Sequence, residues 1–378
     1  MKERLHKEEL YIGVMSGTSM DAVDAVLISI THNKFQTLAC QSSTISPELK
    51  QQLSALCFPG NNEIERSAHL DILFAELIAD TVNTLLIKQN LKAQDICAIG
   101  SHGQTIRHCP EAKKPFSLQI GNPSIIAHKT GITTIADFRM ADIAAEGQGA
   151  PLVPAFHQAV FNPETGCRAI INIGGIANIT LLHTKSNDAK NNIVKGYDIG
   201  PGNTLMDQWI LKHKHTPIDL DGEWARSGNI LPELLEKFLA DAFIQKKPPK
   251  SSGREYFNLA WLDTFSPYQA NNEDIQRTLL EFTAQVLADT VNHETNGTPC
   301  EIYLCGGGVK NRFLYERINA LLPDYRIAST GNLGIDAQLV EGAAFAWLAS
   351  QTMQNLPGNI ESVTGASCAK ILGGIYLA

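Results

Sequence analysis

A strand, a glycine-rich turn and a second strand open each half of this chain, and the same later pieces follow each opening in the same order. Leu10-Tyr-Ile12 runs into the segment from Gly13 to Asp24 (Gly-Val-Met-Ser-Gly-Thr-Ser-Met-Asp-Ala-Val-Asp), and an apolar run from Ala25 to Ile30 follows. Two apolar runs joined by a tight Gly/Ser/Thr turn predict a β-hairpin. The stretch from Ala169 to Leu182 repeats the arrangement around Gly174-Gly175. Ile-Ala-Asp-Thr-Val-Asn at 78–83 and Leu-Ala-Asp-Thr-Val-Asn at 287–292 each lie in a helix-patterned stretch. An apolar strand ending in glycine comes after each, from Ile96 to Gly103 and from Ile302 to Gly308. The period is far too long for a solenoid, so the pattern predicts a duplicated α/β domain. A chain of 378 residues suits two such domains. The expected division is 1–138 and 139–378, with the last residues able to pack back on the first domain. Two facing domains make a cleft, a favoured place for a ligand.

Local patterns fill in the elements between. Residues 46–60 read as a short helix ending at Pro59-Gly60. Apolar residues at helical spacing (Leu70, Leu73, Phe74, Leu77, Ile78, Val82, Leu85, Leu86) predict a long amphipathic helix over 62–91. A helix begins near Pro154, another spans about Ala337 to Gln354, and a short strand closes the chain. The segment 184–192 reads as a polar hairpin loop. Lys246 to Gly253, rich in Lys, Pro, Ser and Gly, reads as a solvated connector or a mobile lid.

A net charge of −8 argues against a nucleic-acid binder, which would carry a basic face. Cys40, Cys57, Cys97, Cys109, Cys167, Cys300, Cys305 and Cys368 show no C-x-x-C pair and no zinc spacing. They are expected as free thiols, several of them small hydrophobes within strands, in a reducing cytoplasm. The charged N-terminus lacks a secretory core. No apolar run approaches the roughly 18 residues of a spanning helix, so a soluble protein is expected, with no membrane partner.

The candidate site residues lie where these strands end. Backbone N–H groups and hydroxyls crowd the first hairpin tip, Gly17, Thr18, Ser19, Met20, Asp21, Ala22, Val23 and Asp24, and such a concavity suits phosphate oxygens. Asp21 is the nearest acid for a hydrated Mg²⁺, which prefers one or two carboxylates plus phosphate. No Walker-type G-x-x-x-x-G-K-[ST] is present. Asp198 ends a strand before a Gly-Pro-Gly turn, where a carboxylate can take a proton from an attacking oxygen; otherwise it caps the helix starting near Thr204. Ser101, His102, Gln104 and Thr105 suit a polyhydroxylated ligand, with His102 as a contact rather than a base. Arg139, beside Asp137 and Asp142, either binds a carboxylate in forked geometry or makes an interdomain ion pair. Gly306, Gly307 and Gly308 offer a flat backbone for adenine or ribose. Glu341, the lone acid on an apolar helix, is a ligand contact or a capping partner.

Together these motifs resemble the anhydro-N-acetylmuramic acid kinase family of the sugar kinase/Hsp70/actin superfamily. The likeness runs nearly end to end: M-S-G-T-S-x-D at 15–21, G-S-H-G-Q-T at 100–105, Q-I-G-N-P at 119–123 and D-F-R at 137–139. G-Q-G-A-P-L-V-P-A-F-H at 147–157, N-I-G-G-I-A-N at 172–178 and D-x-G-P-G-N at 198–203 continue it. G-R-E-Y-F-N at 253–258, C-G-G-G at 305–308, F-A-W-L-A at 345–349 and L-P-G-N at 356–359 complete it. The resemblance implies two duplicated actin-like ATPase (ribonuclease H-like) domains with a ligand cleft between them. It implies ATP and Mg²⁺ as cofactors and a homodimer.

It implies phosphorylation of O6 of 1,6-anhydro-N-acetylmuramic acid while water opens the anhydro ring at C1. Asp198 falls on the general base, and the phosphates fall on Gly17 to Asp24 and on Gly174-Gly175. Ala22 stands where the family usually has Gly, Glu146 for Gly and Ser252 for Thr, while Met140 and Ala141 replace usual arginines. That last change leaves open a related sugar or carboxylate kinase with another acceptor. A non-enzymatic, ATP-switched binding module is the third reading.

Overall fold

The computed structural model describes residues 8–17, 19–31, 34–184, 193–248, 250–253, 256–266 and 269–378. Thr18, Arg254, Glu255 and most of the expected 184–192 loop lie outside them. Two compact units emerge, Met1–Val160 with Leu339–Ala378, and Phe161–Gln338. The sequence reading placed the division at 138/139. Residues 139–160, assigned to the second domain on sequence, group instead with the first unit, as does the segment Leu339–Ala378.

The first unit carries β1 (Glu9–Met15), β2 (Ala22–Thr31), β3 (Lys34–Thr44), β4 (Ile96–Ser101) and β7 (Thr134–Ala136), with β13 (Gly374–Tyr376) at one edge. Their order is β13-β7-β4-β1-β2-β3. A separate two-stranded sheet pairs β5 (Gln104–Cys109) with β6 (Phe116–Ile120). The second unit orders β10 (Ile193–Pro201), β9 (Ile176–Thr184), β8 (Gly166–Ile173), β11 (Cys300–Cys305) and β12 (Arg326–Ser329).

The two sheets are built alike. In each, the first three strands form an antiparallel meander, and the fourth and fifth run parallel to the first. Parallel neighbours need a crossover, and helices supply it. Glu63–Gln89 precedes β4 and Asn272–Thr295 precedes β11. The repeated Ala-Asp-Thr-Val-Asn sequence lies in both, and each helix ends on an asparagine in the left-handed conformation, Asn90 and Asn296. Asparagine tolerates that backbone better than most residues, which makes it a helix stop. This duplicated strand order, 3-2-1-4-5 with the meander first, is the ribonuclease H-like unit that actin-like ATPases contain twice.

Each sheet holds its own core. Ile12, Val14, Val23, Phe74, Ile78 and Ile99 meet in the first unit, and Ile171, Ile179, Trp209, Phe238, Phe282 and Leu304 in the second. The helix Val340–Met353 lies against β1 and β4 with almost no spacing. A Cβ on Gly13 would sit 1.8 Å from the Gly342 carbonyl oxygen, and one on Gly100 would sit 2.0 Å from that of Phe345. Only glycine permits so close a backbone approach.

The cysteine expectation is corrected at one pair. Cys167 and Cys300 stand opposite each other in the β8–β11 register, with Cα atoms 4.6 Å apart, and are joined as a disulfide. Parallel strands bring residues 133 apart into one register pair, a proximity with no trace in local spacing. The other six cysteines form no disulfide among the described residues.

Candidate functional site

In parallel sheets the loops at the carboxyl ends of the strands carry function, and both units place the candidate residues there. In the first unit, the turn from Ser16 to Asp21 closes β1 onto β2, with the Met20 amide donating to the Gly17 carbonyl at 3.1 Å. The adjacent end of β4 is stitched to it, the His102 amide donating to Val14 O at 3.0 Å. Buried Ser16 Oγ lies 2.9 Å from Gln104 Oε1 and 3.1 Å from the Ala22 carbonyl, its single proton shared between two acceptors. The hairpin tip and the 101–105 segment thus form one surface.

Within that tip the side chains divide. Met20, at φ 52°, and Val23 point into the core, so each offers only backbone to a ligand. Asp21 is exposed and paired with Lys50. Among the described residues no group of three or more His, Cys, Asp or Glu converges to hold a metal. A Mg²⁺ carried mainly by phosphate oxygens and water needs only one such carboxylate. An exposed ion pair like Lys50–Asp21 is weak enough to exchange for it, so the donor set fits.

Arg139 anchors the other side of this surface. Its Nε and one terminal nitrogen donate to His102 Nε2 at 3.3 and 2.9 Å, and its other terminal nitrogen donates to Gly149 O at 2.7 Å. Since His102 Nε2 accepts, Nδ1 carries the proton and donates to Gly103 O at 2.9 Å. Burial and then the Arg139 charge hold His102 well below its ordinary pKa, so it stays neutral. Both ring nitrogens are engaged, and His102 holds Arg139 rather than moving protons. Burial lowers Arg139 to about 10, opposed by the nearby Glu341 and Asp142 charges. Glu341, half-buried in the first turn of Val340–Met353, thus lies near enough for its charge to act on Arg139. Thr105 Oγ1 accepts from Gln119 Nε2 at 3.0 Å. Met140 Sδ accepts from the Ser117 amide of β6 at 3.4 Å. Ser101 Oγ is enclosed with no hydrogen-bond partner among the described residues.

Asp142 was read only as a neighbour of Arg139, yet it organises the loop behind it. Fully buried, its carboxylate accepts from the Gly149 amide, Asn359 Nδ2 and Thr364 Oγ1, each at 2.7 Å. Gly149 is the residue whose carbonyl holds Arg139.

In the second unit β8, β10 and β11 all run one way, so Gly174-Gly175, Asp198 and Gly306–Gly308 share one end of the sheet. The carbonyls of Gly174 and Gly175 accept from the amides of Gly202, Asn203 and Thr204 at 2.8–3.1 Å. A Cβ on Gly202 would lie 2.3 Å from Gly174 O, and one on Gly306 would lie 2.2 Å from Asn172 Oδ1. The result is a floor of bare main chain.

Asp198 stands at its edge and does not cap the next helix, whose N-cap is Asn203. Its amide donates to Lys250 O at 3.1 Å. Its Oδ2 accepts from Ser251 Oγ and from the Ser252 amide, both at 2.9 Å. The solvated-connector reading of 246–253 is therefore corrected at Lys250. Lys250 is buried, and its ammonium donates to Phe243 O and Ile244 O at 3.1 Å. A charged, Pro-rich segment reads as solvent-exposed because composition does not reveal carbonyls waiting for a cation. Ser251 and Ser252 were not named as site residues for the same reason, although Ser252 had been noted as standing where the family usually has Thr.

Fold and strand-end geometry define a class, the duplicated α/β proteins of the actin-like ATPase type. Residues 9–378 match the family model described as anhydro-N-acetylmuramic acid kinase, and the chain belongs to that family. It is 49% identical over 371 residues to the anhydro-N-acetylmuramic acid kinase of Shewanella sp. (strain MR-4), covering 97% of this chain and 98% of that one. It is 48% identical over 378 residues to the protein of the same name from Shewanella denitrificans, covering 99% and 100%. Among solved structures, the activator of the 2-hydroxyisocaproyl-CoA dehydratase from Clostridium difficile with bound ADPNP matches at 14% identity and TM-score 0.43, covering 94% of this chain and 99% of that one. Among the described residues, no helix is long and apolar enough to cross a membrane.

Proposed function

We infer that this protein is a kinase that uses ATP to phosphorylate O6 of 1,6-anhydro-N-acetylmuramic acid while water opens the anhydro ring, giving N-acetylmuramic acid 6-phosphate in peptidoglycan recycling. Membership of the family over nearly the whole chain supports the reaction. The observation that carries the roles is Asp198, a carboxylate fixed at the carboxyl end of β10 beside the bare glycine backbone.

Asp198 takes a proton from water, whose oxygen bonds to C1. The C1–O6 bond breaks and its electron pair stays on O6, which bonds to the γ-phosphorus as ADP leaves. One ATP and one water are consumed per sugar. Phosphoryl transfer of this kind is mainly positioning and charge neutralisation.

The hairpin tip at Gly17 and Ser19 to Asp24, with Gly174 and Gly175, suits the phosphates, and Gly306 to Gly308 suit the nucleoside. Mg²⁺, with Asp21 as its one protein carboxylate, supplies charge neutralisation on the phosphates. Arg139, held rigid by His102 and Gly149, suits the sugar's lactyl carboxylate, and Glu341 sets its charge balance. Ser101 contributes a hydroxyl whose hydrogen bonding is still unmet, and Gln104 and Thr105 present polar groups beside it. Met140 and Ala141 leave Arg139 to do this without the additional arginines usual nearby. A cytoplasmic homodimer completes the reading.

The test is ADP release from Mg-ATP with and without the anhydro-sugar, with the product's mass read. Sugar-dependent ADP and a product heavier by one phosphoryl group and one water supports the whole reaction. A phosphate without the water removes the base role from Asp198. No dependence on the sugar sinks the acceptor assignment.

A further inference from the structure

Asp198 is held by three hydrogen bonds from a single short segment. Its backbone amide donates to Lys250 O, and its Oδ2 receives both the Ser251 hydroxyl and the Ser252 amide. The segment is itself anchored. Lys250 Nζ donates to two carbonyls at the end of the helix Ala242–Gln245 and lies 4.8 Å from the Phe243 ring centre. Carbonyls at a helix C-terminus favour a cation, which makes this a built socket for the lysine.

We propose that Lys250–Ser252 is a strap that holds the Asp198 carboxylate in its proton-accepting form, with Ser251 as a positioning residue for that base. The proposal rests on the reading of Asp198 as the general base. The chemistry is asymmetric in a useful way. A backbone N–H can only donate, so the Ser252 amide always favours the ionised oxygen over a protonated one. The Ser251 hydroxyl adds a second donor to the same oxygen, which fixes the plane of the carboxylate as well as its charge.

The charged groups around the strap act on Lys250 in both directions. Burial lowers the Lys250 pKa, while Asp198 and then Asp241 raise it and Lys246 lowers it again. Attraction between the Lys250 ammonium and Asp198 thus favours the ionised forms of both. Ser252 Oγ is enclosed without a hydrogen-bond partner among the described residues, next to the base. A hydroxyl so placed fits a group that pairs when substrate is present.

The experiment is the pH dependence of kcat in the full-length protein carrying Ser251→Ala, with Ser251→Thr and Ser252→Ala beside it and thermal melting as the control for folding. Loss of one donor to a charged oxygen raises the acidic limb by about one pH unit. Ser251→Thr, which restores a hydroxyl, returns the limb toward its original position. Ser252→Ala keeps its N–H donor, so the limb stays put and KM for the sugar rises instead. An unmoved limb in folded Ser251→Ala overturns the strap, as does an equal displacement in Ser252→Ala. Asp198→Asn separates the two failures. If that variant is inactive while the Ser251→Ala limb is unmoved, only the strap falls. If it keeps its turnover, the base reading falls first.

Discussion

Asp142→Asn probes how the C-terminal segment supports the Arg139 cradle. The Asp142 carboxylate is fully buried and accepts from three donors at 2.7 Å, Gly149 N, Asn359 Nδ2 and Thr364 Oγ1. An amide in its place keeps one acceptor and presents an NH₂ on the other side. Gly149 N can only donate, so the amide oxygen must face it. The NH₂ then meets Asn359 Nδ2 and Thr364 Oγ1. The threonine hydroxyl can turn and accept, but Asn359 cannot flip without breaking its bond from the Lys370 amide to Oδ1, at 2.7 Å. At least one buried donor stays unpaired, which costs about 1–3 kcal/mol, and the loss of charge-assisted bonds adds to it, for a total of about 3 kcal/mol.

For a unit of this size each kcal/mol shifts melting by roughly 2–4 °C, so the expected drop is on the order of 10 °C. Because Asp142 holds Gly149, whose carbonyl holds Arg139, KM for the anhydro-sugar should rise about tenfold, a change worth about 1.4 kcal/mol, while KM for ATP is unchanged. Differential scanning fluorimetry and steady-state kinetics read the two effects. A melting temperature within a degree or two of the parent would refute the packing argument. A large melting shift with unaltered sugar KM would refute the link to Arg139.

Three further outcomes follow from the same geometry. Asp198→Asn should lower turnover by roughly two to four orders of magnitude, as loss of a general base does, with ATP binding by calorimetry unchanged; near-normal turnover would contradict its role. Gly100→Val should prevent folding of the first unit, because even its Cβ would lie 2.0 Å from a backbone oxygen of the helix Val340–Met353, and overpacking against main chain exceeds the usual ~1–3 kcal/mol; a soluble variant with parental circular dichroism would contradict the packing. Burial pushes His157 down to about 3, so between the ordinary imidazole value and that pH the unfolded chain binds the extra proton. Stability is therefore lost as pH falls, by about 2 kcal/mol from this group at pH 5. His157→Leu should flatten the melting-temperature profile between pH 7 and pH 5, and equal slopes would exclude the effect.

The parts legible in the sequence are those whose cause is local. The hairpins at Gly13–Asp24 and Ala169–Leu182 follow from short apolar runs on either side of glycine turns. Helix Glu63–Gln89 follows from its apolar spacing, and the duplication follows from the order in which these pieces recur. The place of Asp198 near the end of a strand was legible from the Gly-Pro-Gly turn that follows it. Its strap was not, since burying Lys250 depends on carbonyls that only tertiary packing aims at it.

Hydrogen bonding and hydrophobic patterning within a few residues thus determined the repeated α/β units and put glycine turns at their strand ends. Only the tertiary structure decided the register that joins Cys167 to Cys300, the grouping of residues 139–160 with the first unit, and the neutral, fully engaged state of His102. These rest on contacts between residues far apart in the chain. A sequence records such contacts only as the residue types that tolerate them, such as the glycines at 13 and 100 where a helix backbone comes to rest.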